Sequence, residues 1–179
     1  SLPAGNPVTA DPAVREALNR AVDRRAMVDH VLAGYGRPAS TPFPEVYGTS
    51  YEPAAAFEFD RAAAAKILDD AGWRETPSGV REKDGVRAEF TIMYFPEDTL
   101  RRDLAQAFAT DADKIGVRVN VQAVARGVFP DQLSADASLL GGGDLPYDPD
   151  PQSYATLHSN YAQPGVGSPY DNASDYVNP

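Results

Sequence analysis

Three glycines, then an acid, then aspartates alternating with prolines: residues 139–154, LLGGGDLPYDPDPQSY, are the stretch of this sequence best equipped for chemistry. Asp144 and Asp148 are close enough to act as paired carboxylates, one as general acid and one as general base. Asp144 alone would instead be a ligand-binding carboxylate where a strand end opens into a cleft. It is also the kind of acid that sits in a turn or caps a helix without any ligand. Gly141, Gly142 and Gly143 put no Cβ in the way of an approaching ligand or backbone. Tyr147 has a ring to stack on a ligand or to pack on its own loop. Pro149 and Pro151 preset φ, so the loop around them is held open at little entropic loss.

Other chemistries lack their residues. The stretch has neither the D-x-[DN]-x-[DN]-G spacing nor the distal glutamate of a calcium loop, and no Gly-Lys-Ser/Thr follows it as in a phosphate loop. His30 and His158 belong to no HExxH pair, and no G-x-S-x-G elbow occurs. The absence of cysteine excludes disulfides and thiolate metal sites. No catalytic residue, metal site or cofactor is therefore expected. A hydrolase built on Asp144 and Asp148 is the enzymatic alternative, although nothing supplies it with a nucleophile or a metal. A non-catalytic protein-interaction domain with an acidic surface is another.

The elements that must position these groups follow from periodicity. DPAVREALNRAV opens a helix with Asp11 as N-cap and Pro12 at the first position, and Val14, Ala17, Leu18, Ala21 and Val22 form its apolar stripe. Asp23 caps a second helix that Gly34 ends. Asp60 caps a third, rich in alanine and stopped by Gly72. AEFTIMYF alternates as a strand at 88–95. A helix at 98–115 follows, with Leu100, Leu104, Phe108 and Ile115 on one face, and then a strand at 117–124. Together they form a βαβ unit with parallel strands. A short helical stretch, GVFPDQLSA, leads to a third short strand in ASLLGGG, and a further helix begins near Pro151. The fold class is α/β, with a βαβ unit flanked by helices. In open α/β sheets ligands sit at the carboxyl ends of the strands. Tyr94 ends the first strand and lines either the cleft or the core. Arg126 follows the second, either to meet a carboxylate or as a surface residue.

The 179 residues suit one domain, and 42% hydrophobic content argues against wholesale disorder. A formal net charge of −10 is the wrong sign for a nucleic-acid partner and disfavours an anionic membrane surface. No apolar run approaches the ~20 residues of a membrane span, and no signal peptide opens the chain.

In that order of elements the sequence resembles the peptide-type (family 5) solute-binding proteins of ABC importers. DPAVREALNRAVDRRAMVDHVLAGYGRPA is similar to the family's VRxALxxAIDRxxIxxxxxxGxGxPA block, and FEFDRAAAAKILDDAGW to its YDPxKAKxLLxEAGW block. DGVRAEFTIMYF and DLAQAFATDADKIGVRVNVQ resemble its strand and KxGIxVxxx segments, and SPYDNASDYVNP its N-x-S-x-Y-x-N-P block.

The resemblance implies a periplasmic-binding-protein-like (type II) lobe, residues 1–179 being the C-terminal lobe of a larger two-lobed receptor. It implies a monomer that captures a small solute, a peptide foremost, in an interlobe cleft and hands it to ABC permease subunits outside the cytoplasm. In peptide-binding relatives an aromatic-x-x-Asp segment follows a strand, and its Asp pairs with the ligand's α-amino group. Aligned through the acid, that segment falls on Gly141-Gly142-Gly143-Asp144. Gly141 departs from the Trp that relatives often carry there, which implies a wider, less aromatic wall.

Overall fold

The computed structural model describes residues 5–39, 45–53, 56–126 and 136–139. Its helices begin where short polar side chains can satisfy the first free N–H groups. Asn6 caps a single turn, α1 (Pro7–Ala10), accepting from the Val8 N–H at 2.9 Å. Asp11 caps α2 (Pro12–Ala21) through Ala13, and Asp23 caps α3 (Arg24–His30) through Ala26. Asp60 caps α4 (Arg61–Asp70) through Ala63, and Asp98 caps α5 (Thr99–Asp113) through Arg101. The α3 helix ends at His30, earlier than the expected stop at Gly34; past it Ala33 and Gly34 both take positive φ (50° and 83°), and the Gly34 N–H returns to the Val28 carbonyl at 2.9 Å. A 3₁₀ turn at Glu45–Ser50 follows a stretch carrying Pro38, Pro42 and Pro44.

The chain between α4 and the βαβ unit forms an antiparallel meander that periodicity did not reveal: β1 (Arg74–Glu75), β2 (Arg81–Lys83) and β3 (Val86–Arg87). Its second turn is Asp84-Gly85, both at positive φ (51° and 79°), the two-residue hairpin that Asp-Gly favours. The expected βαβ unit is β4 (Glu89–Tyr94), α5 and β5 (Arg118–Ala123), with the two strands parallel from Glu89↔Arg118 to Tyr94↔Ala123. The expected third strand is β6 (Ala137–Ser138), parallel to β4 on its other side, so the order is β5-β4-β6. Asp136 sets that placement. It accepts from the Thr91 N–H at 2.9 Å and from Asn6 Nδ2 at 2.5 Å.

The core joins Val14, Ala17 and Leu18 of α2, Ala64 and Leu68 of α4, Trp73, and Phe90 and Ile92 of β4. Of the expected α5 stripe, Ile115 is in the core and Phe108 packs against it, beside buried Ala105, Asp111 and Ala112, while Leu100 is 49% exposed in the first turn.

Two polar ties hold the layers. Arg81, only 2% exposed, donates Nε to the Ile115 carbonyl (2.9 Å) and Nη1 to the Trp73 carbonyl (2.8 Å) and Asp69 (2.6 Å). Gly116 makes room for it. A Cβ there would stand 2.8 Å from Arg81 Cγ, on backbone at φ +78°. Asp111, 7% exposed, accepts from Lys114 Nζ and Arg61 Nη2 (both 2.8 Å) and from the Asp23 N–H (2.9 Å), joining α3, α4 and α5. Burial pushes its carboxyl pKa up, but the bonds from Lys114, Asp23 and Arg61 outweigh that and leave it below the ordinary value.

Two outcomes follow. Arg81→Ala leaves two buried carbonyls unpaired as well as a cavity, and should cost ~3–5 kcal/mol in urea unfolding, whereas Asp69→Asn, altering an exposed partner, should cost clearly less. Equal losses would contradict this account. Because the folded pKa of Asp111 is depressed, its contribution is present above the unfolded value of ~3.9 and is lost as pH falls through the folded value. Asp111→Asn should therefore lower stability at pH 7 by ~1–3 kcal/mol and flatten the decline below about pH 4. An unchanged acid limb in unfolding midpoints would refute that role.

Candidate functional site at the strand carboxyl ends

The three parallel strands present their carboxyl ends together because their register is in phase. The Val124 N–H donates to the Tyr94 carbonyl at 2.9 Å, and the Leu139 N–H to the Met93 carbonyl at 2.8 Å. Immediately past β4 the chain turns at Phe95-Pro96-Glu97 and enters α5, the Asp98 N–H closing on the Phe95 carbonyl at 2.9 Å. Beneath this rim Met93, Phe95 and Val124 form a small apolar cluster of their own, separate from the main core.

Of the residues expected to line a site, Tyr94 and Arg126 lie among the described residues, and the structure brings them to this one edge. Tyr94 is half-buried at the last position of β4. Arg126 is exposed, its guanidinium 4.0 Å from the Phe95 ring centroid, and Nε meets Glu97 Oε1 at 2.7 Å. Gly141, Gly142, Gly143, Asp144 and Tyr147 lie outside the described residues, as do Asp148 and His158. The described chain reaches Leu139 at this same edge, two residues before the first of those glycines.

Two rim residues that sequence reasoning passed over are Phe95, which carries the Arg126 guanidinium, and Glu97, which pairs with it. The signal for the pair is the parallel register. The ladder that ends at Tyr94↔Ala123 leaves Glu97 and Arg126 just past the ends of neighbouring strands. Glu97 has a lowered pKa, chiefly through its own backbone N–H and then Arg126. Asp98 is lowered chiefly by the Arg101 N–H, and Arg102 is raised by Asp103. Each rim charge described here thus has a partner: Glu97 with Arg126, Asp98 with Arg101, Asp103 with Arg102. These pairs hold the rim in shape and leave no uncompensated charge on it among the described residues. A charged group on a ligand would need a partner from elsewhere. Among the described residues no cluster of three His, Cys, Asp or Glu side chains is placed to hold a metal ion. No described helix is long and apolar enough to cross a membrane.

The profile of bacterial extracellular solute-binding proteins, family 5 Middle, matches residues 1–164. The chain is 43% identical over 179 residues to protein XP55 of Streptomyces lividans, covering 100% of this chain and 32% of that one. It is 29% identical over 170 residues to the oligopeptide-binding protein AppA of Bacillus subtilis, covering 90% and 31%. Among solved structures it is similar to AppA in complex with a nonapeptide (TM-score 0.80, 30% identity, 97% of this chain and 34% of that one). It is equally similar to NikZ of Campylobacter jejuni in complex with Ni(L-His) (TM-score 0.81, 30% identity, 96% and 34%). The chain therefore spans about a third of the length of the curated relatives it matches.

Proposed function

The chain belongs to the bacterial extracellular solute-binding proteins of family 5, and from that premise we propose that it is one lobe of a two-lobed receptor that captures a peptide or similar small solute for an ABC importer. The observation that carries the reading is the common edge formed by β5, β4 and β6, at which the described chain reaches Leu139, two residues before Gly141 in sequence. The sequence likeness to the oligopeptide-binding protein AppA over 170 residues supports a peptide as the solute.

In this reading Asp144 holds the ligand's α-amino group. The described rim offers no free carboxylate for that task, because Glu97, Asp98 and Asp103 are each committed to an arginine. Gly141, Gly142 and Gly143 let the ligand's backbone come close. Tyr94 and Tyr147 supply apolar wall, and the Arg126–Glu97 pair stiffens the rim. The lobes close on the solute by a hinge motion, to which ligand contacts on both lobes contribute. The receptor is a monomer outside the cytoplasm and presents its cargo to permease subunits. The chemistry is binding alone: no bond in the solute is made or broken.

Thermal-shift screening of the receptor that carries this lobe should find ligands among dipeptides, oligopeptides, sugars and nickel chelates. A ligand at a hundred times its dissociation constant adds ~2.7 kcal/mol of stability. Asp144→Ala should weaken free-amino peptides about 10- to 100-fold, the worth of a charge-assisted bond, and should leave N-acetylated peptides unaffected. Equal affinity for free and acetylated peptides would remove Asp144 from the amino-group role. Chromatography that finds the ligand cleaved after incubation would favour the hydrolase built on Asp144 and Asp148.

A further inference from the structure

Away from the strand carboxyl ends, a cavity of about 260 Å³ opens between α2, α5 and the face of β4. Its wall is apolar, made by Leu18, Phe90, Ile92, Phe108 and Ala137. Arg15, exposed, and Arg24, half-buried, also line it. Their hydrogen bonds go only to neutral oxygens. Arg15 Nη1 donates to the carbonyls of Thr9 (2.9 Å) and Ala10 (2.7 Å). Arg24 donates Nη1 to the Asn19 carbonyl and Nη2 to Asn19 Oδ1, both at 2.7 Å.

That is unusual in this chain, whose formal net charge is −10. Among the described residues every other lysine and arginine except Arg37 forms an ion pair. Two of the three described lysines and arginines without a counter-ion thus line one cavity. Arg24 is partly buried, and the loss of water there holds its pKa below the ordinary value. A cation drawn out of water beside apolar walls is unfavourable unless an anion meets it. Each guanidinium carries five N–H donors, more than its neutral partners use.

We propose that this cavity binds an apolar monocarboxylate, with the carboxylate met by Arg15 and Arg24 and the hydrocarbon body laid along Leu18, Phe90, Ile92 and Phe108. At the ~30 Å³ that a water takes in the liquid, the space suits about nine non-hydrogen atoms, a body the size of hexanoate. The site is separate from the proposed solute cleft and shares none of its residues, so either can fail without the other.

The test is a titration of the receptor that carries this lobe with hexanoate, followed by methyl NMR and repeated with hexan-1-ol, which has the same six-carbon skeleton without the charge. Hexanoate should give saturable shifts centred on Leu18, Ile92 and Ala137. Hexan-1-ol should bind at least about tenfold more weakly, and so should hexanoate to Arg24→Gln. Arg15→Gln provides a second variant on a different helix if Arg24→Gln disturbs folding, and the two-ligand comparison on the unaltered chain needs neither. Equal binding of acid and alcohol, shifts that map away from the cavity, or no saturable shift at about 10 mM hexanoate would overturn the proposal.

Discussion

The buried guanidinium of Arg81 is the constraint on which this lobe is built. It binds the Ile115 carbonyl at the end of α5, the Trp73 carbonyl after α4, and Asp69 in the last turn of α4. Its own backbone is spliced into the same corner. The Arg81 N–H donates to the Gly116 carbonyl, and the Arg81 carbonyl accepts from Ala88 just before β4. One residue therefore fixes the meander, the end of α4 and the amino ends of both β4 and β5. A buried charge is weak evidence for stability in itself, since its desolvation offsets much of what the pairing gains. What it contributes is register: the corner closes only with Gly116 at left-handed φ and no Cβ against Arg81 Cγ.

A rigid corner at the amino ends has its consequence at the other end of the strands. With β4 and β5 held at their starts, their parallel register carries unbroken to Tyr94↔Ala123 and brings the residues just past both strands to one edge. The Glu97–Arg126 pair and the stacking of Arg126 on Phe95 are products of that register, not of any strong affinity between exposed charges. Asp136 does for β6 what Arg81 does for β5. By bridging Asn6 and the Thr91 N–H it locks the third strand beside β4, so that the chain after Leu139 starts from a defined edge.

The elements legible in the sequence were those with local signals. Asp11, Asp23 and Asp60 announce helix starts because an Asx cap needs only the next few residues. Phe90 and Ile92 announce β4 because alternation is local too. The meander was not legible by periodicity, since strands of two and three residues are too short to show a period. Its one sharp signal was Asp84-Gly85. The role of Arg81 was hidden for a different reason. Nothing in the string REK marks an arginine as buried, and only the convergence of Ile115, Trp73 and Asp69, distant in sequence, makes it so. Leu100 was misplaced because a helical stripe says which residues share a face, not how far along the helix the sheet extends. At the rim, Tyr94 and Arg126 were found from their place after strands, whereas Phe95 and Glu97 required the register. The Gly141–Asp144 segment rests on composition and on the family resemblance.

Two solved relatives make the division of labour plain. One is a complex with a nonapeptide, the other with Ni(L-His), and the lobe described here superposes on both about equally well, at TM-scores of 0.80 and 0.81. A backbone that fits an extended peptide receptor and a small metal-complex receptor alike cannot itself be the selector. Selection has to come from side chains at the strand ends. On the described part of the rim those side chains are spent on one another, in ion pairs that shape the edge and present no free charge to a ligand. In the proposed reading the glycines at 141–143 take side chains away from the wall, and Asp144 supplies the one uncommitted charge. Such a site would recognise the ammonium end common to all unblocked peptides and discriminate little among their side chains. That is the specificity expected of a receptor that gathers a class of solutes, not a single compound.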